Sequence, residues 1–368
     1  MGDFSMQLTD GCVHKIGVFP STRYRGSKRK LLPWIYSIIK EVDFFSALDA
    51  FGGTGSVSYL FKNMGKKVVY NDYLRFNFII GKSIIENSKY TLSLDDVDAL
   101  FAGLVMKKGF VSNNFSGMYF LDEENEWIDG FMCLLSDYFD IEKAGNEYRK
   151  CIAMNAFFQS CLIKRPFNLF HRKNLDIRIR NVERSFGNKI TWERDFEYYF
   201  RKFVVEINDS IVDKGVCCLS ENKNVFELDD VGYDLVYMDP PYVLERSKNE
   251  SADYLKGYHF LEGVSRYKEW EKYLDWGSNL HEFRDKNLKN YFKKSCVEEA
   301  FERLVYKFKQ SKIVVSYKYG GVPSVDFIVK ILGLMGKNVF VESKHYHYAL
   351  NKQNGDASLN REYLILGL

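Results

Sequence analysis

The stretch that decides the fold reads Phe45-Ser-Ala-Leu-Asp49-Ala-Phe-Gly-Gly-Thr-Gly55. The apolar residues before Asp49 predict a β-strand, and the glycines after it predict a tight turn, because glycine adopts backbone conformations that other residues avoid. Ser56 to Met64 then predict a helix, and Lys67 to Asp72 predict a second strand. A strand, a turn, a helix and a second strand form a βαβ unit, so this stretch predicts the opening of an α/β sheet.

Apolar stretches much later in the chain predict the remaining strands of the same sheet. They are Tyr233 to Asp239, Lys312 to Ser316, and a terminal pair around Val339 to Val341 and Tyr363 to Leu366. We therefore predict one α/β domain formed by residues 15–80 and 215–368.

The segment between these two parts, residues 81–214, is rich in aromatic and charged residues and lacks the alternation of a half-buried strand. It predicts an inserted, mainly helical domain. A second insert spans about Val243 to Lys309, and its part from Tyr254 to Trp270 is interpreted as a loop over the substrate.

Bulk properties exclude several classes of protein. The formal net charge of +3 over 368 residues is too small to indicate a polyanionic partner by itself. The seven cysteines are scattered without the paired spacing of a zinc site, which favours a reduced, cytoplasmic environment and no metal. No stretch approaches the roughly 18 to 20 apolar residues of a membrane span, so we expect no membrane partner.

The glycine turn predicts a ligand at the carboxyl edge of the sheet. A phosphate-binding loop would require Gly-Lys-Ser/Thr, and a dinucleotide fingerprint would require glycine where Ser58 stands. A purely structural turn remains an alternative. Asp72, at the end of the next strand, suits the ribose hydroxyls of a nucleoside, although an aspartate there can also cap a helix.

The most specific motif is Asp239-Pro-Pro-Tyr242, directly after an apolar strand. The N6 amino group of adenine is a poor nucleophile because its lone pair is delocalised into the ring. The Asp239 carboxylate and the Pro240 carbonyl can accept its two hydrogens, while Pro241 stiffens the turn. Tyr242 offers a face for a base taken out of the duplex, with stacking of about 1–3 kcal/mol.

The glycine turn followed much later by Asp239-Pro-Pro-Tyr242 resembles the Dam-like adenine-N6 DNA methyltransferases, in the order that places the cofactor loop first. Tyr24-Arg-Gly-Ser-Lys28 is similar to that family's N-terminal cofactor motif. The resemblance implies a Rossmann-like methyltransferase sheet that binds S-adenosylmethionine and carries an inserted target-recognition domain. The implied cofactor contacts are Tyr24, Lys28, Asp49, Phe51, Gly53, Gly55, Asp72, Phe226 and Asp239. Family members often carry an acid where this chain has Asn224, and without the family Lys28 would be taken for a solvated lysine.

The partner implied by the resemblance is double-stranded DNA. A stretch of the first insert interleaves basic, amide and aromatic residues, and arginines and amides can read base edges while lysines suit phosphates. A solvated basic surface is the alternative. The predicted DNA contacts are Arg165, Asn168, His171, Arg172, Lys173, Asn174, Arg178, Arg184, Asn188 and Lys189.

Other reactions remain open at this point. Methylation of the cytosine amino group needs the same acceptors, although those enzymes more often resemble Ser-Pro-Pro-Tyr. Ring-carbon methylation needs a cysteine after a proline, which the chain lacks. RNA or protein-amide methylation, or a non-catalytic DNA-binding role on the same scaffold, shares the fold. A cognate restriction endonuclease is plausible by resemblance.

Overall fold

The computed structural model describes residues 18–140, 142–180, 188–249, 252–286, 288–346 and 361–368. The strands of these residues are β1 (Ser46–Asp49), β2 (Lys67–Asn71), β3 (Leu219–Glu221), β4 (Leu235–Met238), β5 (Val243–Leu244), β6 (Lys312–Lys318), β7 (Gly321–Val322), β8 (Val339–His345) and β9 (Arg361–Gly367).

The described residues also form thirteen α-helices. They are α1 (Leu32–Ile39), α2 (Ser56–Asn63), α3 (Arg75–Gly81), α4 (Leu94–Ala102), α5 (Phe110–Phe115), α6 (Asp122–Tyr138), α7 (Asn146–Ile163), α8 (Leu175–Ile179), α9 (Asn188–Glu193), α10 (Phe196–Asp209), α11 (Tyr254–Ser265), α12 (Val297–Lys307) and α13 (Val325–Leu334).

Seven strands form one sheet in the order β3-β2-β1-β4-β6-β9-β8. The first five are parallel, and β9 lies antiparallel between β6 and β8. From β1 the chain builds outward to β2 and β3, and then returns to place β4 on the other side of β1. The strand order therefore reverses between β1 and β4, and in open α/β sheets ligands bind at the carboxyl edge of such a point.

Both faces of the central strands are covered, which explains their continuous apolar sequences. Alternate residues of β4 enter two different hydrophobic clusters: Leu235 and Tyr237 pack on one face, and Val236 and Met238 on the other. Helices α12 and α13 cover the second face. The first face is covered by α1, α2 and the helices of the insert.

The predicted insert is mainly helical in its described residues and contains α4 to α10. Its core is aromatic and continuous with the core on the first face of the sheet. None of the helices in the described part of the chain is long and apolar enough to cross a bilayer.

The expectation of a loop from Tyr254 to Trp270 is wrong. These residues form the helix α11 and a following 3-10 helix, Tyr267–Tyr273. Helix α11 is buried from Gly257 to Val264, and a side chain at Gly263 would lie only 1.9 Å from the Trp270 ring. The ring of Phe260 lies 5.3 Å from that of Phe115, so this second insert completes the core of the first.

Candidate active site

The site is a cleft, partly open to solvent, at the carboxyl ends of β1, β2 and β4. The predicted residues that line it are Tyr24, Lys28, Asp49, Phe51, Gly53, Asp72, Asp239 and Pro241. The reversal of strand order explains this meeting, because Asp49 ends β1 and Asp239 follows the neighbouring strand β4.

The glycine turn is fixed to β2 by hydrogen bonds. Gly53 donates its N–H to the Asp72 carboxylate at 2.9 Å, and its carbonyl accepts the Tyr70 hydroxyl at 2.7 Å. Gly53 and Gly55 have φ angles of +52° and +75°, a region that strongly favours glycine. A side chain at Gly52 would lie 2.1 Å from the Tyr70 ring. The backbone of the turn is thus both exposed to the cleft and rigid.

Both carboxylate oxygens of Asp72 accept hydrogen bonds from backbone N–H groups. One carboxylate oxygen accepts the Gly53 N–H, and the other accepts the N–H of Leu74 at 2.8 Å, at the start of α3. Burial raises the pKa of Asp72 to about 6, although these hydrogen bonds oppose the rise. The carboxylate also lines the cleft, where its remaining lone pairs can meet a ligand.

Asp49 is the strongest indication of what the cleft holds. Its Oδ2 accepts the Ser58 hydroxyl at 2.6 Å, but its buried Oδ1 has no hydrogen-bond partner among the described residues. Burial raises the pKa of Asp49 to about 7. A buried carboxylate without a cation is costly, so the site fits a ligand that brings positive charge or hydrogen-bond donors.

The turn that begins at Asp239 lines the same cleft. Asp239 is 18 % exposed and its Oδ1 accepts a hydrogen bond from the Lys28 ammonium at 3.0 Å. Burial raises the pKa of Asp239, and Lys28 opposes that rise. Lys28 is only 3 % exposed, so the interpretation of a solvated lysine is wrong. The Tyr242 ring packs beside Tyr317 at 5.2 Å, and neither Tyr242 nor Pro240 is among the residues that line the cleft.

An aromatic stack over the cleft was not anticipated. Tyr24 lies parallel to Tyr258 at 4.6 Å and to Tyr254 at 5.6 Å, and Tyr254 lines the cleft. Both partners come from α11, about 230 residues later in the chain. The sequence signal was two tyrosines one helical turn apart, which by itself does not distinguish a ligand-lining pair from a core pair.

Comparison with known proteins agrees with this geometry. Residues 24–319 match the family described as "D12 class N6 adenine-specific DNA methyltransferase". This range spans the cofactor motif, the glycine turn and Asp239-Pro-Pro-Tyr242. The chain belongs to this family. It is therefore grouped with adenine-N6 rather than cytosine enzymes, as its aspartate predicts.

The similarity to individual relatives extends over nearly the whole chain. It is 27% identical to the type II methyltransferase M2.HphI of Haemophilus parahaemolyticus, over 94% of this chain and 98% of that protein. It is 22% identical to the type II methyltransferase M.NlaIII of Neisseria lactamica, over 93% and 97%. It is 26% identical to the type II methyltransferase M.FokI of Planomicrobium okeanokoites, over 93% of this chain and 52% of that protein.

Two predicted cofactor contacts of this methyltransferase lie away from the cleft wall. Gly55 forms the start of α2, and a side chain there would meet Ile85. Phe226 packs against Tyr291 at 4.9 Å, beneath the Arg303 guanidinium at 4.3 Å, whereas its neighbour Val225 lines the cleft. The cause is the 3-10 turn from Val225 to Glu227, which directs consecutive side chains differently.

The predicted DNA-binding stretch divides into buried and exposed residues. Arg165 is 1 % exposed, and its guanidinium donates to the carbonyls of Tyr119, Leu169 and Arg172 at 3.1, 3.2 and 2.6 Å. Arg178 forms a double hydrogen bond with Glu124, at 2.8 Å for each nitrogen. These two arginines stabilise the fold, and neither guanidinium is presented to a partner, contrary to the prediction for them.

The other residues of the stretch are more accessible. Arg172, Lys173 and Lys189 are exposed, whereas Asn168, His171 and Asn174 are half-buried. Arg184 and the side chain of Asn188 lie outside the described residues. Phe167, which sequence reasoning passed over, is 60 % exposed and has a left-handed φ of +65°, a rare conformation for a bulky residue.

The described residues contain no group of three or more His, Cys, Asp or Glu side chains placed to hold a metal ion. The candidate site is therefore built from carboxylates, one buried lysine, tyrosines and backbone groups.

Proposed function

We propose that this protein transfers a methyl group from S-adenosylmethionine to the N6 amino group of an adenine flipped out of duplex DNA. The observation that carries the proposal is that the glycine turn after β1 and the Asp239 turn after β4 open into one cleft. One turn suits the methyl donor and the other suits the acceptor base. Proximity of the two reactants then contributes much of the rate.

The cofactor half of the cleft would be formed by Asp49, Asp72, Phe51 and the glycine turn. S-adenosylmethionine supplies a methyl group on a positively charged sulfur. Its cationic centres suit the carboxylate of Asp49, which has an unpartnered oxygen, and its ribose hydroxyls suit Asp72. The absence of a side chain at Gly53 lets the backbone approach the ligand closely, whereas Gly52 leaves room for the Tyr70 ring.

The substrate half would be formed by Asp239, Pro240 and Tyr242. The Asp239 carboxylate and the Pro240 carbonyl accept the two amino hydrogens and so direct the N6 lone pair towards the donor. Both acceptors belong to the same short turn, so their positions relative to each other are set before the substrate arrives, which favours stabilisation of the charge that develops on N6. The Tyr242 ring provides the stacking face that offsets the cost of flipping the base.

DNA recognition would use the loop from Pro166 to Asn174, which the buried Arg165 holds in shape through the carbonyls of Leu169 and Arg172. The exposed cations Arg172 and Lys173 suit phosphates, and the polar residues Asn168, His171 and Asn174 suit base edges. Phe167 is held outward from this rigid support and suits contact with an exposed base. Arg184, Asn188 and Lys189 remain predicted contacts of the same region.

We also propose a role in a restriction-modification system, with a cognate endonuclease as functional partner and the cytoplasm as the place of action. The support is that all three relatives named above are type II methyltransferases.

The direct test is to incubate the protein with labelled S-adenosylmethionine and unmethylated genomic DNA, and to identify the methylated nucleoside by mass spectrometry. N6-methyladenine is expected. N4-methylcytosine would refute the assignment of the base, and label in neither nucleoside, with an active control enzyme in parallel, would refute the proposed reaction.

A further inference from the structure

Lys28 lies between two carboxylates. Its ammonium is 3.0 Å from Asp239 Oδ1 and 3.9 Å from Glu362 Oε2. Glu362 is fully buried at the beginning of β9, next to Lys318 in the register of the sheet. The proposed reaction assigns a role to Asp239 but none to Glu362, and a buried charge next to an active site requires an explanation.

The contact with Lys28 at Oδ1 weakens Asp239 in the role proposed for it, although Oδ2 keeps lone pairs that can accept a hydrogen bond. A carboxylate that already accepts a hydrogen bond from an ammonium is a weaker acceptor for an uncharged amino group, because its negative charge is shared. Lys28 cannot simply leave, since a buried ammonium without a carboxylate is strongly destabilised. A second carboxylate within reach of the same ammonium offsets this weakening.

We propose that Glu362 is a positioning residue that takes over Lys28 when the target adenine occupies Asp239. In the free enzyme Lys28 is held mainly by Asp239, at the shorter distance. When the amino group of adenine binds Asp239, Lys28 moves about one ångström towards Glu362, which shortens 3.9 Å to ordinary hydrogen-bond length. This inference rests on the proposed function, because it assumes that Asp239 receives adenine.

The surroundings of Glu362 support this exchange. The neighbouring Lys318 is 8 % exposed and interacts electrostatically with Glu362, so a second buried cation lies near this carboxylate. The Tyr242 ring lies 5.9 Å from the Lys28 ammonium, within the range of a weak cation–π contact. Glu362 is thus equipped to receive a cation that Asp239 releases.

The test is Glu362→Gln in the full-length enzyme, measured by single-turnover methylation of duplex DNA at saturating S-adenosylmethionine. We expect the rate of methyl transfer to fall by about tenfold to a hundredfold, as for an ångström-scale misplacement. The dissociation constants for S-adenosylmethionine and DNA should change by less than about threefold, within roughly 0.7 kcal/mol. The matched control is Glu342→Gln, the same substitution at an exposed position of the adjacent strand β8, which should leave the rate unchanged.

A double-mutant cycle separates positioning from a merely structural effect. If Glu362 acts through Lys28, Glu362→Gln should add little to the loss caused by Lys28→Gln, whereas independent effects would multiply. The conservative variant Glu362→Asp should recover part of the rate. Should Glu362→Gln fail to bind S-adenosylmethionine, the comparison of Glu362→Asp with and without Lys28→Gln provides the same cycle.

A wild-type rate in Glu362→Gln would overturn this inference, and so would effects of Glu362→Gln and Lys28→Gln that multiply in the double variant. In either case, formation of N6-methyladenine by the wild-type enzyme would still uphold the proposed function. If the wild-type enzyme forms no N6-methyladenine, both fall together, so the two failures are distinguishable.

Discussion

The buried charges of the active-site cleft and those of the helical insert differ in how they are neutralised. In the insert, the Glu124 carboxylate is 2.8 Å from both Lys164 and Arg178. Burial alone would raise its pKa, but these cations outweigh burial and lower it. In the cleft, Asp49 and Asp72 take part in none of the ion pairs of the described residues, and burial raises the pKa of each. The Glu124 carboxylate is thus neutralised by cations of the fold itself, whereas Asp49 and Asp72 of the cleft are not.

The largest expected effect is on the reaction itself. Asp239→Ala removes the acceptor for the amino hydrogens and should lower the methylation rate by about 10²–10³ or more, the cost of losing one preorganised charge-stabilising group. Binding of DNA should persist. Rapid-quench kinetics together with fluorescence anisotropy on labelled duplex measures both quantities, and a fully active variant would exclude the proposed role.

The second prediction concerns the ion-pair cluster of Glu124, Lys164 and Arg178 in the insert. Glu124→Gln leaves Lys164 and Arg178 buried without their carboxylate, and should lower the free energy of unfolding by about 3–5 kcal/mol. Urea denaturation followed by circular dichroism measures the loss. The control is Glu123→Gln, one residue earlier and exposed, for which the unfolding midpoint should stay near that of the wild type. Equal midpoints for all three proteins would contradict the distinction drawn between insert and cleft.

The third effect concerns pH. A cationic ligand favours the ionised form of Asp49, whose pKa is about 7 in the free protein. Affinity for S-adenosylmethionine should therefore rise with pH from about 5.5 and level off above about 7.5. The rise should be roughly tenfold for each unit by which the bound ligand lowers the pKa of Asp49. Binding below pH 7 should release protons, which calorimetry in two buffers detects. Asp49→Asn should weaken binding and reduce this proton release, and unchanged proton release in that variant would contradict the assignment.

The same linkage has the opposite sign for the unliganded fold. The folded pKa of Asp49 lies above its unfolded value of about 4, so the folded state holds its proton more tightly. Stability without ligand should decrease as pH rises from about 4 to 7, and added S-adenosylmethionine should offset the decrease.

The smallest effect is expected on the DNA surface. Lys173→Ala should weaken DNA binding uniformly across sequences and reduce the slope of log affinity against log salt by about one unit. Lys40→Ala is the matched control, because Lys40 is exposed at the end of α1 and the chain after it enters the sheet at the amino end of β1, whereas the cleft lies at the carboxyl ends. Equal slopes for the two variants would indicate that the loop of Lys173 does not contact phosphates.

Much of the fold was predictable from the sequence, because strands buried on both faces leave continuous apolar runs. The predicted strands at 45–49, 67–72, 233–239 and 312–316 all occur, with small shifts at their ends. The short edge strand β3 was missed, since three half-exposed residues carry too little pattern. The loop expected over 254–270 failed because its aromatic residues serve a core shared with the first insert.

The sequence by itself determined the two turns of the cleft. The left-handed backbone at Gly53 favours glycine, so this turn can be recognised from the residue type. The proposed acceptors of the second turn lie in the consecutive residues Asp239-Pro-Pro-Tyr242. Both turns are therefore local properties of the sequence. Tertiary structure alone decided that Arg165 and Arg178 turn inward and that Glu362 approaches Lys28. These outcomes depend on packing between residues far apart in the chain, and burial can convert a surface-type charge into an internal hydrogen-bond donor without leaving any mark on the local pattern.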